Sequence, residues 1–280
     1  MKYKMILCDF DGTLGTGVSG INENGRPIVT ERSKKAIGAY MAKGGIFILC
    51  TGRSYSSCVE YAKDLGLLNQ KVGVSCLMGT LIPNADGTPA FDLPLSHDVT
   101  LRIARALDET GEYYHFYDWQ DIYVKENNDI TRNYERICGV KVSVRGVLGD
   151  FIESSGKSAN KFVIICKGDE RIVIDKIRSL GIDGLELGHS GPKYLEVYSA
   201  EGGKKRAAEE LCKIYGLEPD DVMAIGDSFN DISMLKAVGF GVAVGNATDD
   251  VKAAADYVAE SNNDDGVAKT IEKFCLNEKE

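Results

Sequence analysis

Met5-Ile6-Leu7-Cys8-Asp9-Phe10-Asp11-Gly12-Thr13 decides how the chain is read. An apolar run of strand length ends in two aspartates, a glycine and a threonine. Residues two apart in extended chain point to the same side, so Asp9 and Asp11 are expected to face one spot, with Gly12 freeing the backbone to turn. Two carboxylates about 4 Å apart repel by about 4 kcal/mol at an effective dielectric near 20. A divalent cation or a shared proton offsets that repulsion. The chemical reading is a magnesium-assisted site with a nucleophilic aspartate. The plain alternative is a solvated Asx-type turn after a strand.

Working outward, the same pattern recurs. Ile46 to Cys50 reads as a buried strand ending in Thr51-Gly52-Arg53, and Val222 to Ile225 as another ending in Gly226-Asp227-Ser228-Phe229-Asn230-Asp231. Val72 to Leu77 reads as a third strand, before Met78-Gly79. Helices are expected between them, over about 31–43 with Thr30 as N-cap, 54–65 and 204–216. Residues 15–30 read as a loop. Buried strands alternating with helices predict a parallel, doubly wound α/β sheet. Ligands of such sheets bind beyond the carboxyl ends of the strands, so the polar groups following these strands are expected to meet at one edge.

Composition changes in the middle of the chain. Turn residues cluster over 83–89, helices are expected over 97–110 and 129–138, and a hairpin over Tyr113 to Tyr117 and Ile122 to Lys125. This α+β stretch predicts a second domain over 83–190, inserted into a core made of 1–82 and 191–280. Tyr113, Tyr114, Tyr117, Trp119 and Tyr123 fit either a ligand-stacking surface or one face of a packed sheet. Arg145, Lys157, Lys161, His189, Ser190 and Lys193 are cationic or polar candidates there. His97, His115 and His189 have no metal-ligand spacing and read as surface or packing residues.

The chain has 280 residues, 44% hydrophobic and 27% charged, with a net charge of −9. That balance argues against general nucleic-acid binding. Its eight cysteines form no CxxC pair, and several sit in apolar runs. No signal peptide and no run of membrane-spanning length is apparent, so a reduced cytoplasm is the expected compartment. Acidic oxygens at one edge suit magnesium rather than zinc. Thr51, with backbone N–H groups at Gly52 and Arg53, is placed to meet an anion. Lys204, after Gly202-Gly203, is a candidate cation for phosphoryl charge, or else a solvated helix end. No GxxxxGK[ST] loop is present, and Gly239-x-Gly241-x-x-x-Gly245 misses the dinucleotide spacing.

Asp9-Phe10-Asp11-Gly12-Thr13, Thr51-Gly52-Arg53, Lys204 and Gly226-Asp227-Ser228-Phe229-Asn230-Asp231 together resemble the four motifs of the haloacid dehalogenase superfamily. The insert between the second and third motifs resembles the C2-type cap of the Cof-type, subclass IIB sugar-phosphate phosphatases. The resemblance implies a Rossmann-like core with an α+β cap that closes over substrate. It implies that Asp9 attacks phosphorus and that Asp11 protonates the leaving oxygen, then activates water. Thr51 and Lys204 would hold the phosphoryl group. Asp9, the Asp11 carbonyl and Asp227 would bind Mg2+, with Asp231 supporting them, and Asn230 would orient phosphate or Lys204. The implied substrate is a small phosphorylated metabolite. Two departures stand out: Met78-Gly79 where members often carry Asn-Gly, and Lys204-Lys205 where they often carry Lys-Gly. A phosphomutase of the phosphomannomutase type, or a non-catalytic phospholigand-binding regulator, would share these motifs. Oligomeric state is not legible.

Overall fold

Asp9 N–H donates to Ile225 O, 2.9 Å away, extending the ladder of a six-stranded sheet by one rung. The computed structural model of the chain describes residues 2–16, 25–191 and 193–277. The sheet order is Tyr257–Val258, Phe240–Ala243, Val222–Gly226, Met5–Cys8, Ile46–Cys50, Val74–Ser75, and every adjacent pair is parallel. Met5 pairs with Val222 and Cys8 with Ile225, so the strands holding the two acidic motifs end level. All four residues of Met5–Cys8 are buried, as expected of a central strand covered on both faces. Met5, Leu7, Ile48, Val222 and Ala224 pack with Leu211 and Leu235 in one apolar cluster. The expected α/β core is present.

The flanking helices follow local signals. Glu31–Ala42 begins after Thr30, whose side chain accepts from Ser33 N–H, and Lys204–Tyr215 ends at left-handed Gly216. The third strand is shorter than predicted, Val74–Ser75 rather than 72–77. Leu77, Met78 and Gly79 follow in succession at φ 50°, 59° and 74°, and this left-handed turn stops the strand. Of the loop predicted over 15–30, residues 17–24 lie outside the described residues.

The chain divides into two units, one of residues 1–91 with 203–280 and the other Asp92–Gly202. The predicted limits of 83–190 therefore differ at both ends. The turn-rich stretch joins a two-stranded hairpin, Leu81–Pro83 with Pro89–Asp92, and Ile82 is buried in the first unit's core. Tyr194–Ser199 has the burial of a core strand, yet it pairs antiparallel with Lys161–Ile165 and belongs to the second unit's sheet.

That second sheet runs Leu185–Gly191, Tyr194–Ser199, Lys161–Ile165, Tyr113–Tyr117, Ile122–Val124, Ser143–Val144. Tyr114, Tyr123, Phe116 and Phe162 sit in its apolar cluster. On the other face Tyr113 and Tyr117 are buried, their hydroxyls bonded to Thr131 and Tyr134. The packed-face reading of these tyrosines holds; Trp119 is exposed. His115 is buried against Tyr117 and Tyr134, His97 bonds the Lys157 carbonyl and His189 meets Glu170. Lys161 is buried in an ion pair with Glu196, and Lys157 pairs with Asp118. The side chain of Ser190 lies outside the described residues. No helix among them is long and apolar enough to cross a membrane.

Candidate active site

Four side chains converge at the carboxyl edge of the parallel sheet. Asp9 follows Met5–Cys8, Asp227 and Asp231 follow Val222–Gly226, and Lys204 opens the helix Lys204–Tyr215. Lys204 Nζ donates to Asp9 Oδ1 at 2.6 Å and to Asp231 Oδ1 at 2.5 Å. The Lys204 side chain is only 2% exposed, so the solvated-helix-end alternative does not describe it. Gly203 N–H donates to Met78 O at 2.7 Å, which ties the start of that helix to the left-handed turn after the third strand. A Cβ on Gly79 would stand 2.3 Å from Gly203 O, so only glycine permits this approach.

Asp231 is an anchor. Its Oδ1 takes Lys204, and its Oδ2 accepts the N–H groups of Asp227 and Ser228 at 3.1 and 3.0 Å. Asp227 is placed from the opposite side. Thr13 Oγ1 donates to Asp227 Oδ1 at 2.7 Å. Gly12, at φ 79°, passes so close that a Cβ there would lie 2.5 Å from Asp227 Oδ2. The glycine and threonine of the opening stretch thus fit the loop after Asp9 against the second acidic motif.

Carboxylate oxygens of Asp9, Asp227 and Asp231 lie within 4.8 Å of one another. Burial pushes the Asp9 carboxyl well above its usual range, Lys204 opposes this, and Asp231 and Asp227 add to it. Burial likewise raises Asp227, against the Thr13 hydrogen bond. Lys204 is raised despite its burial, because Asp231 and Asp9 face it. With all three carboxylates ionised, the cluster would carry two negative charges more than the one ammonium offsets. An all-oxygen donor set with excess negative charge fits a hard divalent cation such as Mg2+.

Asp11 is not part of the carboxylate cluster that holds Asp9. Asp11 lies three residues beyond the strand's last residue, Cys8, where strand alternation no longer applies. Its carboxylate is exposed and meets the Arg53 guanidinium, with Nε and Nη2 each 2.6 Å from an Asp11 oxygen. The Arg53 N–H, assigned above to an anion, donates to Thr51 Oγ1 at 3.1 Å. Thr51 is buried at the end of the neighbouring strand, its N–H on Ser75 O. Asn230 accepts from Ser228 Oγ at 2.9 Å and points its amide at Met78 Sδ, 3.8 Å away.

Two residues escaped the sequence reading. Asn246 Nδ2 donates to Gly12 O at 2.8 Å, and its Oδ1 accepts from Asn262 N–H at 2.9 Å. Asn262 Nδ2 in turn donates to Gly15 O. Together they brace the loop after Asp9. The signal was present: Asn246 follows the strand Phe240–Ala243 at the same carboxyl edge.

A family model described as haloacid dehalogenase-like hydrolase matches residues 6–271. The chain belongs to this family. A Bacillus subtilis relative, named 5-amino-6-(5-phospho-D-ribitylamino)uracil phosphatase, is 29% identical over 280 residues, covering 99% of this chain and 97% of the relative. A solved structure of a haloacid dehalogenase-like hydrolase from Bacteroides thetaiotaomicron superimposes with a TM-score of 0.82 at 26% identity, covering 97% of this chain and 99% of that one. A structure described as a HAD subclass IIB sugar phosphatase shares the fold with a TM-score of 0.79 at 24% identity, covering 97% of this chain and 98% of its own. The expected family, and with it the hydrolase class, is borne out.

Proposed function

We propose that the protein is a magnesium-dependent phosphatase that hydrolyses a small phosphorylated metabolite, a sugar phosphate, through an aspartyl-phosphate at Asp9. The observation that carries this reading is the buried Lys204 ammonium held between Asp9 and Asp231. Phosphate monoester hydrolysis is among the slowest uncatalysed reactions, and its catalysis reaches about 10²¹-fold. Most of that must come from positioning and charge stabilisation around the transferring group.

Asp9 attacks phosphorus, an oxygen–phosphorus bond forms on its carboxylate, and the ester bond to the leaving oxygen breaks. Asp11 gives that oxygen a proton. Asp11 then takes a proton from water as the water attacks phosphorus, and the bond to Asp9 breaks, releasing phosphate. Lys204 orients Asp9 and offsets charge on the phosphoryl oxygens, and Thr51 offers its hydroxyl. Asp9, Asp227 and the Asp11 carbonyl would hold Mg2+, with Asp231 fixing Lys204 and the Asp227 backbone beside them. The cation, when bound, supplies positive potential that offsets carboxylate and phosphoryl charge. The phosphorylated ribityl compound in the relative's name supports a substrate of this size and chemistry. Eight free thiols favour a reducing, cytoplasmic setting.

The test is phosphate release from a panel of sugar phosphates, nucleotides and para-nitrophenyl phosphate, with Mg2+ and with EDTA. Magnesium-dependent release supports the reading. No release from any ester by a folded protein that binds Mg2+ would overturn it.

A further inference from the structure

Arg53 is held from several sides. Nε and Nη2 form the fork on Asp11, Nη1 donates to Ser57 Oγ at 3.1 Å, and the guanidinium lies 5.1 Å from the centre of the Phe10 ring. Phe10 is itself buried and packed on Tyr61 at 4.4 Å. The backbone is fixed as well, Arg53 N–H on Thr51 Oγ1 and Arg53 O accepting from Leu77 N–H. The Arg53 side chain is 13% exposed, whereas Asp11 is 50% exposed. The anchored partner is therefore the arginine, and the open one is the carboxylate.

We propose that Arg53 is the positioning residue of Asp11. This rests on the phosphatase reading above and adds to it that the guanidinium acts on the proton-transfer group, not on the phosphoryl group. A loop residue two beyond the nucleophile, half open to solvent, has many rotamers to choose from. A bidentate fork selects one orientation of the carboxyl plane, which a lysine ammonium cannot do. The fork occupies two of the roughly four lone-pair positions of the carboxylate. The remaining positions are where Asp11 hands a proton to the leaving oxygen and later takes one from water. Correct placement of such a group contributes about 10²- to 10⁴-fold to the rate.

The two steps separate the roles. Para-nitrophenyl phosphate releases a phenolate that needs no proton to depart; an alkyl phosphate, such as a sugar phosphate, does need one. Arg53→Lys and Arg53→Met are compared with the unsubstituted enzyme under enzyme excess with Mg2+, and each variant's melting temperature is recorded. Nitrophenol release reports the first step and phosphate release the second. The expected result is nitrophenol release within about threefold of the unsubstituted enzyme, phosphate release slowed about tenfold or more, and the first step on the alkyl phosphate slowed about tenfold or more. Equal loss in all three, or a raised KM with kcat unchanged, would make Arg53 a phosphate ligand or a purely structural residue and overturn the proposal. Unchanged rates in both variants would overturn it too. Failure of the unsubstituted enzyme to turn over any ester is a different outcome, since it sinks the phosphatase reading and this inference together.

Discussion

Lys204 Nζ stands 2.6 Å from Asp9 Oδ1, joining the residue that opens a helix to one 195 positions earlier at the end of the central strand. The same ammonium holds Asp231, whose other oxygen accepts the N–H groups of Asp227 and Ser228. One buried cation thus holds two of the three carboxylates directly and, through Asp231, the backbone of the third. Its own position depends on Gly203, bonded to Met78 O in the left-handed turn after the third strand.

Lys204→Met should cut turnover by about 10²-fold or more, because the charge proposed to offset the phosphoryl oxygens is lost. It should also lower stability by about 3–5 kcal/mol at neutral pH, since a buried pair is broken and its carboxylates are left unmatched. Steady-state kinetics and a denaturant melt measure both. A stable variant with near-native turnover would remove Lys204 from the account.

Gly12→Ala should act on metal affinity more than on the fold. The added Cβ has to displace Asp227 Oδ2 from 2.5 Å, and φ 79° disfavours alanine. Titration calorimetry with Mg2+ should show affinity falling about tenfold or more, by analogy with disturbed ligand-supporting shells. Unchanged affinity would mean that Asp227 is not a ligand.

Asn246→Ala removes the amide that donates to Gly12 O and accepts from Asn262. The side chain is exposed, so the stability cost should stay near 1 kcal/mol. Turnover should fall about tenfold because the loop carrying Asp9 and Asp11 loses its brace. A thermal melt with kcat and KM decides; equal kcat would show that the loop holds its shape alone.

Stability of the EDTA-treated protein should fall as pH rises from about 4 into the neutral range. Asp9 and Asp227 are both raised in the folded state. A carboxyl raised on folding binds more proton folded than unfolded between its two pKa values, so the folded state loses ground as pH climbs through that window. Lys204 is raised too and acts in the same sense, but from an unfolded value near 10.4, so its contribution is constant across neutrality and is lost only in strong alkali. Added Mg2+ should therefore raise the melting temperature more at neutral pH than near pH 5, because it binds the ionised carboxylates. A magnesium shift independent of pH would contradict the ligand set.

Much of this was readable from the amino acids. Asp9, Asp227, Asp231 and Thr51 were placed by one rule, that polar groups following buried parallel strands gather at the carboxyl edge, and the sheet obeys it. Lys204 needed the resemblance, since a lysine opening a helix is as often solvated. Strand alternation could not by itself place Asp11, which lies past the end of the strand, where Gly12 and the Arg53 fork govern its position. Tyr194–Ser199 was misassigned because apolar content reports burial and not which sheet a strand joins. Asn246 follows the strand Phe240–Ala243 at the same edge, but its partner, the Gly12 carbonyl, is 234 residues away, and only the fold shows that the two meet.

The most direct measurement is mass spectrometry of acid-quenched enzyme during turnover of a phosphate ester with Mg2+. The account predicts a phosphoryl increment on the peptide that contains Asp9, formed and lost at rates consistent with turnover and absent in Asp9→Asn. Turnover without that increment, or an increment on another residue that persists in Asp9→Asn, would contradict it.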